Sequence, residues 1–522
     1  MKKADLALLI ILSLLFVSLL KDCRISVKAS PTTWTVDDDG PADFDNIQEA
    51  INNTSSGDTI FVHVGTYYEH VVIDTSITLV GEDREFTIID GYDTDDVISI
   101  SANNASVKSF TIRKSGVYPC SGILIDHSIN NNIINNKIID TSEGISLYYS
   151  SNNTICGNTI SRNNDGISLY YSSNNVLSGN TIYSSTYDGI YLYSCSNNVV
   201  SRNLILRNNL DGISLYYSSN NTICGNTISS NYYGISLYLV SSNNIIYHNN
   251  FNNTDQVWGE LANVWDYNNE GNYWSDYSEQ DLNGDGIGDY PYIIDEVNQD
   301  NHPLMGSFSD FDIAFEREIY HVTVISNSTI FDFRFETGME TGNEIIRFNV
   351  TGEDESVGFS RVKIPIELME GPYIVLIDRR EVASTLLNLS DVTTVCLYCT
   401  YFNDNNTISI ISSKTLHLYY ELLAEYMELQ AKLYDLNETY YGLMDKYMIL
   451  LINYSSLLEN SDTINASYQQ HLFDYSKQMQ NIRSLMYIFA ATAAVFIITT
   501  IYLSKHAHAG ITTKTKVIRE EK

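Results

Sequence analysis

The stretch Asp165-Gly166-Ile167-Ser168-Leu169-Tyr170-Tyr171-Ser172-Ser173-Asn174-Asn175, closed by Gly179-Asn180-Thr181-Ile182, decides the fold because the chain repeats it. Between about Ser121 and Asn253 its glycine recurs as Gly144, Gly166, Gly189, Gly212 and Gly234, every 22 or 23 residues. Paired asparagines begin at Asn152, Asn174, Asn197, Asn220 and Asn243, and an Asn-Thr-Ile-like triplet ends at Ile160, Ile182, Ile205, Ile228 and Phe251. A fixed period of this length means one small unit stacked on copies of itself.

Within a unit apolar and polar residues alternate. Ile145/Leu147, Ile167/Leu169, Ile190/Leu192, Ile213/Leu215 and Ile235/Leu237 flank a central residue, a two-residue period that reads as a strand with one buried face. The series Ile155, Leu177, Val200, Ile223, Ile246 and the Ile160 series supply two more. Three short strands with Asn, Gly and Ser turns fill the period, whereas a helical crossover does not fit. The prediction is a parallel β-helix in which like residues stack about 4.8 Å apart. The Asn pairs are expected to form amide ladders in the turns. Asp43, before Phe44, Ile47, Ala50 and Ile51, reads as the N-cap of a short helix plugging the first coil. The aromatic stretch Trp258–Tyr277, with Trp265 and Trp274, reads as the plug at the other end.

With 522 residues, net charge −34 and pI near 4.4, the chain has room for several domains and repels nucleic acid. Lys2 and Lys3 precede the apolar run Leu6–Leu20, so residues 1–29 read as a signal peptide. About a dozen Asn-x-Ser/Thr sequons follow, Asn104, Asn252, Asn327, Asn349 and Asn388 among the glycosylation candidates. Asn152 and Asn220 are sequons too, but a ladder role would make them poor acceptors. Residues 485–503 carry no charge and are long enough to cross a bilayer. Lys505, Lys514, Lys516 and Arg519 follow, which predicts a cytoplasmic tail at 504–522 and the bulk of the chain outside the cell. The seven cysteines do not form a framework: Cys156 and Cys224 are expected about 14 Å apart.

The repeat, with both caps, spans 30–306. From 307 to 413 alternating runs such as Tyr320–Ile325, Ile345–Val350, Ser360–Ile364 and Tyr373–Ile377 predict a small β-sandwich. At 414–484 the period changes to heptads, with Leu422, Leu429, Leu436, Leu443, Leu450 and Leu457 on one seam position and Tyr426, Leu433, Tyr440, Tyr447 and Tyr454 on the other. This predicts a coiled-coil-like stalk, one helix of roughly 95 Å from Leu422 to Leu485. It is favoured over a hairpin turning near Glu459–Asp462 because the heptad register survives that point, and self-association through the seam follows as an expectation.

Two places carry candidate chemistry. In Asp281-Leu282-Asn283-Gly284-Asp285-Gly286-Ile287-Gly288-Asp289 oxygen ligands alternate and glycine takes the sixth position, the pattern of a calcium loop. Asp281, Asn283 and Asp285 would ligate by side chain, Ile287 by its carbonyl and Asp289 directly or through water; Tyr292 replaces the bidentate acid normally found at position twelve, with Asp295 or Asp300 as its substitute. The second place is an outward stripe of Tyr148, Tyr170, Tyr193, Tyr216 and Tyr238 beside an acidic row, Glu143, Asp165, Asp188 and Asp211. Rings next to carboxylates suit a glycan, although stacked tyrosines and Asp-Gly turns also serve the fold alone. No coil stands out as reactive, which leans the reading away from catalysis.

Gly-Ile-x-Leu-x-x-Ser-x-Asn-Asn followed by Gly-Asn-Thr-Ile resembles the right-handed parallel β-helix repeats of the pectin-lyase-like superfamily, and within it the NosD-like, carbohydrate-binding and sugar-hydrolysis group. The segments from Thr35-Val36-Asp37-Asp38-Asp39-Gly40 to Ile47-Gln48-Glu49-Ala50-Ile51, and Gly271-Asn272-Tyr273-Trp274-Ser275-Asp276-Tyr277, extend the likeness over about 33–305. The sandwich, with Phe348-Asn349-Val350-Thr351-Gly352, looks like a module of archaeal surface proteins. The resemblance implies glycan binding or adhesion at a cell surface without catalysis, or alternatively a lyase, hydrolase or epimerase working in the same coils. The copper handling associated with NosD is the third implication, weakened because His248 and His302 are isolated.

Overall fold

The computed structural model describes residues 31–259, 261–338, 342–353, 356–387, 393–458 and 465–506. The expected signal peptide at 1–29, Asn388 and the expected tail beyond His506 lie outside the described residues. Two compact bodies form: one runs to Gln280 and resumes at Asp289–Pro303, the other comprises Asp281–Gly288 and everything from Leu304.

The first body is the β-helix, wound from parallel sheets of ten, nine and ten strands. Its register is the repeat itself: Ile145 pairs with Ile167, Ile167 with Ile190, Ile190 with Ile213 and Ile213 with Ile235. The inward columns stack into one dry core in which Ile167, Leu177, Ile182 and their equivalents have no exposed surface. Each fully buried Leu or Ile contributes roughly 1.5–3 kcal/mol. The anchoring glycines answer to crowding at a corner. A Cβ on Gly189 would lie 2.6 Å from the Gly212 carbonyl oxygen and against an Ile205 methyl.

Asparagine ladders run along the corners, and their register refines the sequence reading. The ladder residue is the second of each pair. Asn153 Oδ1 accepts the Asn131 N–H at 2.8 Å, Asn175 accepts from Asn153 at 2.9 Å and Asn198 from Asn175 at 2.9 Å. The Asn-Thr-Ile asparagines form another: Asn158 Nδ2 donates to Asn180 Oδ1 at 3.0 Å and Asn180 Nδ2 to Asn203 Oδ1 at 3.0 Å. The first asparagines, Asn152 and Asn220, sit instead at positive φ, +57° and +59°, with exposed side chains. Asparagine tolerates this left-handed region better than most residues. Their expected ladder role is therefore overturned: only one residue of each pair can point inward at a corner.

The plugs form as expected, with one correction. Helix Ile47–Asn52 buries Ile47, Ala50 and Ile51, but its N-cap is Asn46, which accepts from Glu49 N at 2.8 Å. Asp43 instead accepts from Thr35 at 2.9 Å, and the Glu69 carboxylate takes the Ile47 and Gln48 N–H groups left open in the first turn. At the far end Trp265 and Trp274 are buried; Trp274 stacks on Phe251 at 4.6 Å and donates to the buried Asp300 carboxylate at 2.9 Å.

In the second body two five-stranded antiparallel sheets make the sandwich around Val322, Val324, Phe348, Val362, Ile364, Ile408 and Ile410. Two helices follow, Lys414–Leu458 and Asn465–His506. They run antiparallel: Tyr447 stacks on Tyr475 at 5.0 Å, while Tyr426, Leu429, Leu433 and Leu436 share a trough of about 570 Å³ with Ile482, Leu485, Phe489 and Ala493. This overturns the single long stalk helix. The seam side chains Tyr426, Leu429, Leu433 and Leu436 face this open trough and remain exposed. The segment Gln469–Thr500 within the second helix contains an 18-residue window, of mean hydropathy 1.8, apolar enough to cross a membrane, and Leu485, Phe489 and Phe496 are exposed on it.

Candidate functional site

On the nine-stranded sheet the residue between the inward Ile and Leu faces outward, and from coil to coil it is Ser146, Ser168, Tyr191, Ser214 and Ser236. One coil breaks the pattern, Gly189-Ile190-Tyr191-Leu192-Tyr193. Around it opens a cleft of about 450 Å³. Rings from the strands, Tyr170, Tyr191, Tyr216, Tyr233 and Tyr238, line it together with Tyr118, Tyr187, Leu210 and Tyr232 from the preceding turns, and Asp165, Asp188 and Asp211 lie at its base. Asp188 and Asp211 are 8% and 4% exposed, buried by the surrounding rings.

The carboxylates are held by the coil stack. Asp188 N donates to Asp165 Oδ1 at 2.9 Å, and Asp211 N to Asp188 Oδ1 at 3.1 Å. Each of these two acids gives one oxygen to the backbone of the next coil. One coil earlier the device differs: Glu143 accepts from Ser146 Oγ and, at 3.0 Å, from the Tyr170 hydroxyl. Burial pushes the Asp188 carboxyl up to about 8, with the Asp211 and Asp165 charges adding to it. Burial likewise raises Asp165, partly offset by the Asp188 amide, and raises Asp211 against the hydroxyls of Ser236, Ser214 and Tyr238. Tyr238 is pushed up to about 12 by burial and the Asp211 charge. At neutral pH Asp188 therefore carries its proton, and the cleft offers a hydroxyl-rich, weakly charged lining.

Of the expected stripe, Tyr170, Tyr216 and Tyr238 line the cleft beside the expected Asp165, Asp188 and Asp211. Tyr148 and Tyr193 do not. Tyr148 packs edge-on against Tyr149 at 4.7 Å, and Tyr193 against Tyr171 at 5.5 Å. Tyr191 lies 5.7 Å from both Tyr170 and Tyr216, bridging the rings of neighbouring coils. The sequence reading missed Tyr191, although its place in the repeat was visible, and missed the turn residues Tyr187, Leu210 and Tyr232, which lie just before the anchoring Asp-Gly or Tyr-Gly steps.

The calcium-type loop divides between the bodies. Asp281, Asn283, Asp285 and Ile287 belong to the second, not to the β-helix cap, and Asp289 to the first. Gly286 lies against Phe359 and Arg361, where a Cβ would sit 3.2 Å and 3.3 Å away. Asp281 accepts from Gly284 N at 2.7 Å and Gly286 N at 2.8 Å, and Asp285 from Ile287 N at 2.9 Å. These are hard oxygen donors, the type calcium takes, each already engaged by the loop's own amides. A copper set is not assembled among the described residues: His248 is bound to Glu270 at 2.7 Å and His302 to Asp266 at 2.8 Å, without the clustered His, Met or Cys that copper favours.

Residues 51–279 match the family model described as "Periplasmic copper-binding protein (NosD)". No curated protein matches the chain. Among solved structures, the periplasmic alginate epimerase AlgG is similar at 16% identity over 40% of this chain and 61% of its own, with a TM-score of 0.26. Polygalacturonase from Erwinia carotovora is similar at 14% identity over 45% and 81%, TM-score 0.35, and pectin methylesterase from carrot at 13% over 39% and 73%, TM-score 0.30. The chain thus spans about three fifths of that epimerase.

Proposed function

We propose that the chain binds a polysaccharide in the Tyr191 cleft, outside the cell, and is held at the membrane by the helix that contains Gln469–Thr500. The observation that carries this is the cleft itself, strand tyrosines over the buried Asp188 and Asp211 and the half-buried Asp165. Ring faces take the C–H faces of sugars, and carboxyls split between protonated and ionised forms both donate to and accept from hydroxyls. A neutral chain is favoured over a polyuronate, because acids at the base and a net charge of −34 repel anions.

A second reading rests on one specific observation. Asp188, raised to about 8, stands between two further carboxyls at strand spacing, about 5 Å. A proton-holding acid near a second carboxyl is what glycoside cleavage uses. Glycan-array binding together with analysis of incubated polysaccharide separates the two. Retention with intact chains supports binding; new reducing or unsaturated ends establish turnover; neither result abandons both.

We further assign a structural calcium to the Asp281–Ile287 loop. Calorimetry on the full chain is expected to show uptake at millimolar calcium or below, lost in Asp281→Ala. Absence of uptake by the wild type overturns it.

A further inference from the structure

The exposed first asparagines have a consequence at two coils. Asn152 and Asn220 project to solvent, and neither side chain makes a hydrogen bond among the described residues. Each heads a sequon, Asn152-Asn153-Thr154 and Asn220-Asn221-Thr222. The two coils between them and the one after have the same turn but no hydroxyl residue two positions on: Asn174-Asn175-Val176, Asn197-Asn198-Val199 and Asn243-Asn244-Ile245. Asn104, φ +59°, heads a sequon in the same column, and its Oδ1 accepts from Asn130 Nδ2 at 3.3 Å. The three sequon turns lie two and three coils apart, about 10 and 14 Å, which leaves room for a sugar chain on each.

We infer that Asn152 and Asn220 are N-glycosylation sites forming, with Asn104, one row of glycans along a corner of the β-helix. This rests on the extracellular reading above. The chemistry is substitution at the anomeric carbon of a lipid-phosphate-linked oligosaccharide: Nδ2 forms the C–N bond, the C–O bond to phosphate breaks, and the amide loses one proton. In each coil the acid stands at the start of the outer strand and the paired asparagines follow its end, as Asp211 and Asn220 flank Asp211–Tyr216. The glycans therefore stand about 20 Å from the carboxyls, by strand rise, and leave the cleft open.

The test is glycopeptide mass mapping of the full chain exported from a glycosylating host, with Asn152→Gln and Asn153→Ala variants alongside. Expected are sugar masses on the Asn152 and Asn220 peptides and none on those of Asn174, Asn197 and Asn243. Asn152→Gln is expected to lose one glycan with Tm within about 1 °C, whereas Asn153→Ala lowers Tm by several degrees. Bare Asn152 and Asn220 with sugar on Asn327 or Asn405 overturns this inference alone. A chain bare at every sequon overturns it together with the glycoprotein reading.

Discussion

Two corners of the same coil use one device with different atoms. At the asparagine corners Asn180 Oδ1 accepts from Asn158 N at 3.0 Å, while its Nδ2 donates to Ile155 O at 2.9 Å and to Asn203 Oδ1 at 3.0 Å. At the acid corner Asp165 accepts from Asp188 N at 2.9 Å in a related way, but a carboxyl has no amide hydrogens to pass on. Asparagine closes the ladder and leaves nothing for a ligand. Aspartate leaves an oxygen and a titratable proton at the base of a cleft. Among the described residues, the same coil geometry gives a structural seam on one side and the cleft proposed to bind sugar on the other.

Breaking the closed corner has the largest expected effect. Asn180→Ala orphans the Asn158 amide and the Ile155 carbonyl inside a dry seam, a cost of about 2–4 kcal/mol, to be read as a lower Tm and urea midpoint. The equivalent change at the open corner, Asp188→Asn, is expected to leave the fold intact and sugar binding within about threefold at pH 6, because the amide imitates the protonated acid. It would abolish turnover if the second reading held, so the variant sharpens the comparison and divides the two functions.

The pH dependence of stability follows from the same contrast. Asp188 has a folded value of about 8 against the ordinary carboxyl value of 3.8, and Glu143, Asp165 and Asp211 are raised in the same direction. Between these values the native state holds more protons than the unfolded chain, so stability falls as pH rises from about 4 to 8. The β-helix is expected to melt several degrees lower at pH 8.5 than at pH 5, a difference that Asp188→Asn reduces. The opposite limb belongs to Asp58 and Asp140. Backbone amides hold Asp58 low, the Arg162 guanidinium holds Asp140 low, and their contribution is lost on acidification below about pH 4. Smallest is the calcium effect: saturation of the Asp281 loop is expected to raise the sandwich transition by 1–3 °C, about 0.5–1 kcal/mol by linkage, checked by calorimetry with and without chelator.

What the sequence made legible was what repetition makes legible. The Ile167–Leu169 alternation, the stacked coils, both aromatic and helical plugs and the sandwich strands follow from periods of two and of 22 or 23 residues. The cleft was half legible, since Asp165, Asp188, Asp211, Tyr170, Tyr216 and Tyr238 sit on the repeat. Tyr191 departs from it and was passed over, and the burial that protonates Asp188 is a property of the assembled rings. The first and second asparagines of a pair are chemically identical, so only backbone geometry tells which one turns inward. The heptads of Leu422–Leu457 specified an apolar face but not what lies opposite it, and Tyr426–Leu436 line an open trough with Ile482–Ile497.

Equilibrium binding of neutral polysaccharides to the purified chain, wild type against Tyr191→Ser, tests the cleft most directly. The substitution restores the serine found in the neighbouring coils and should leave the coil intact. A rise in Kd of about tenfold, as expected for one sugar-stacking ring worth about 1.4 kcal/mol, agrees with a sugar site centred on this coil. Equal affinity of the two chains, or binding by neither, contradicts it.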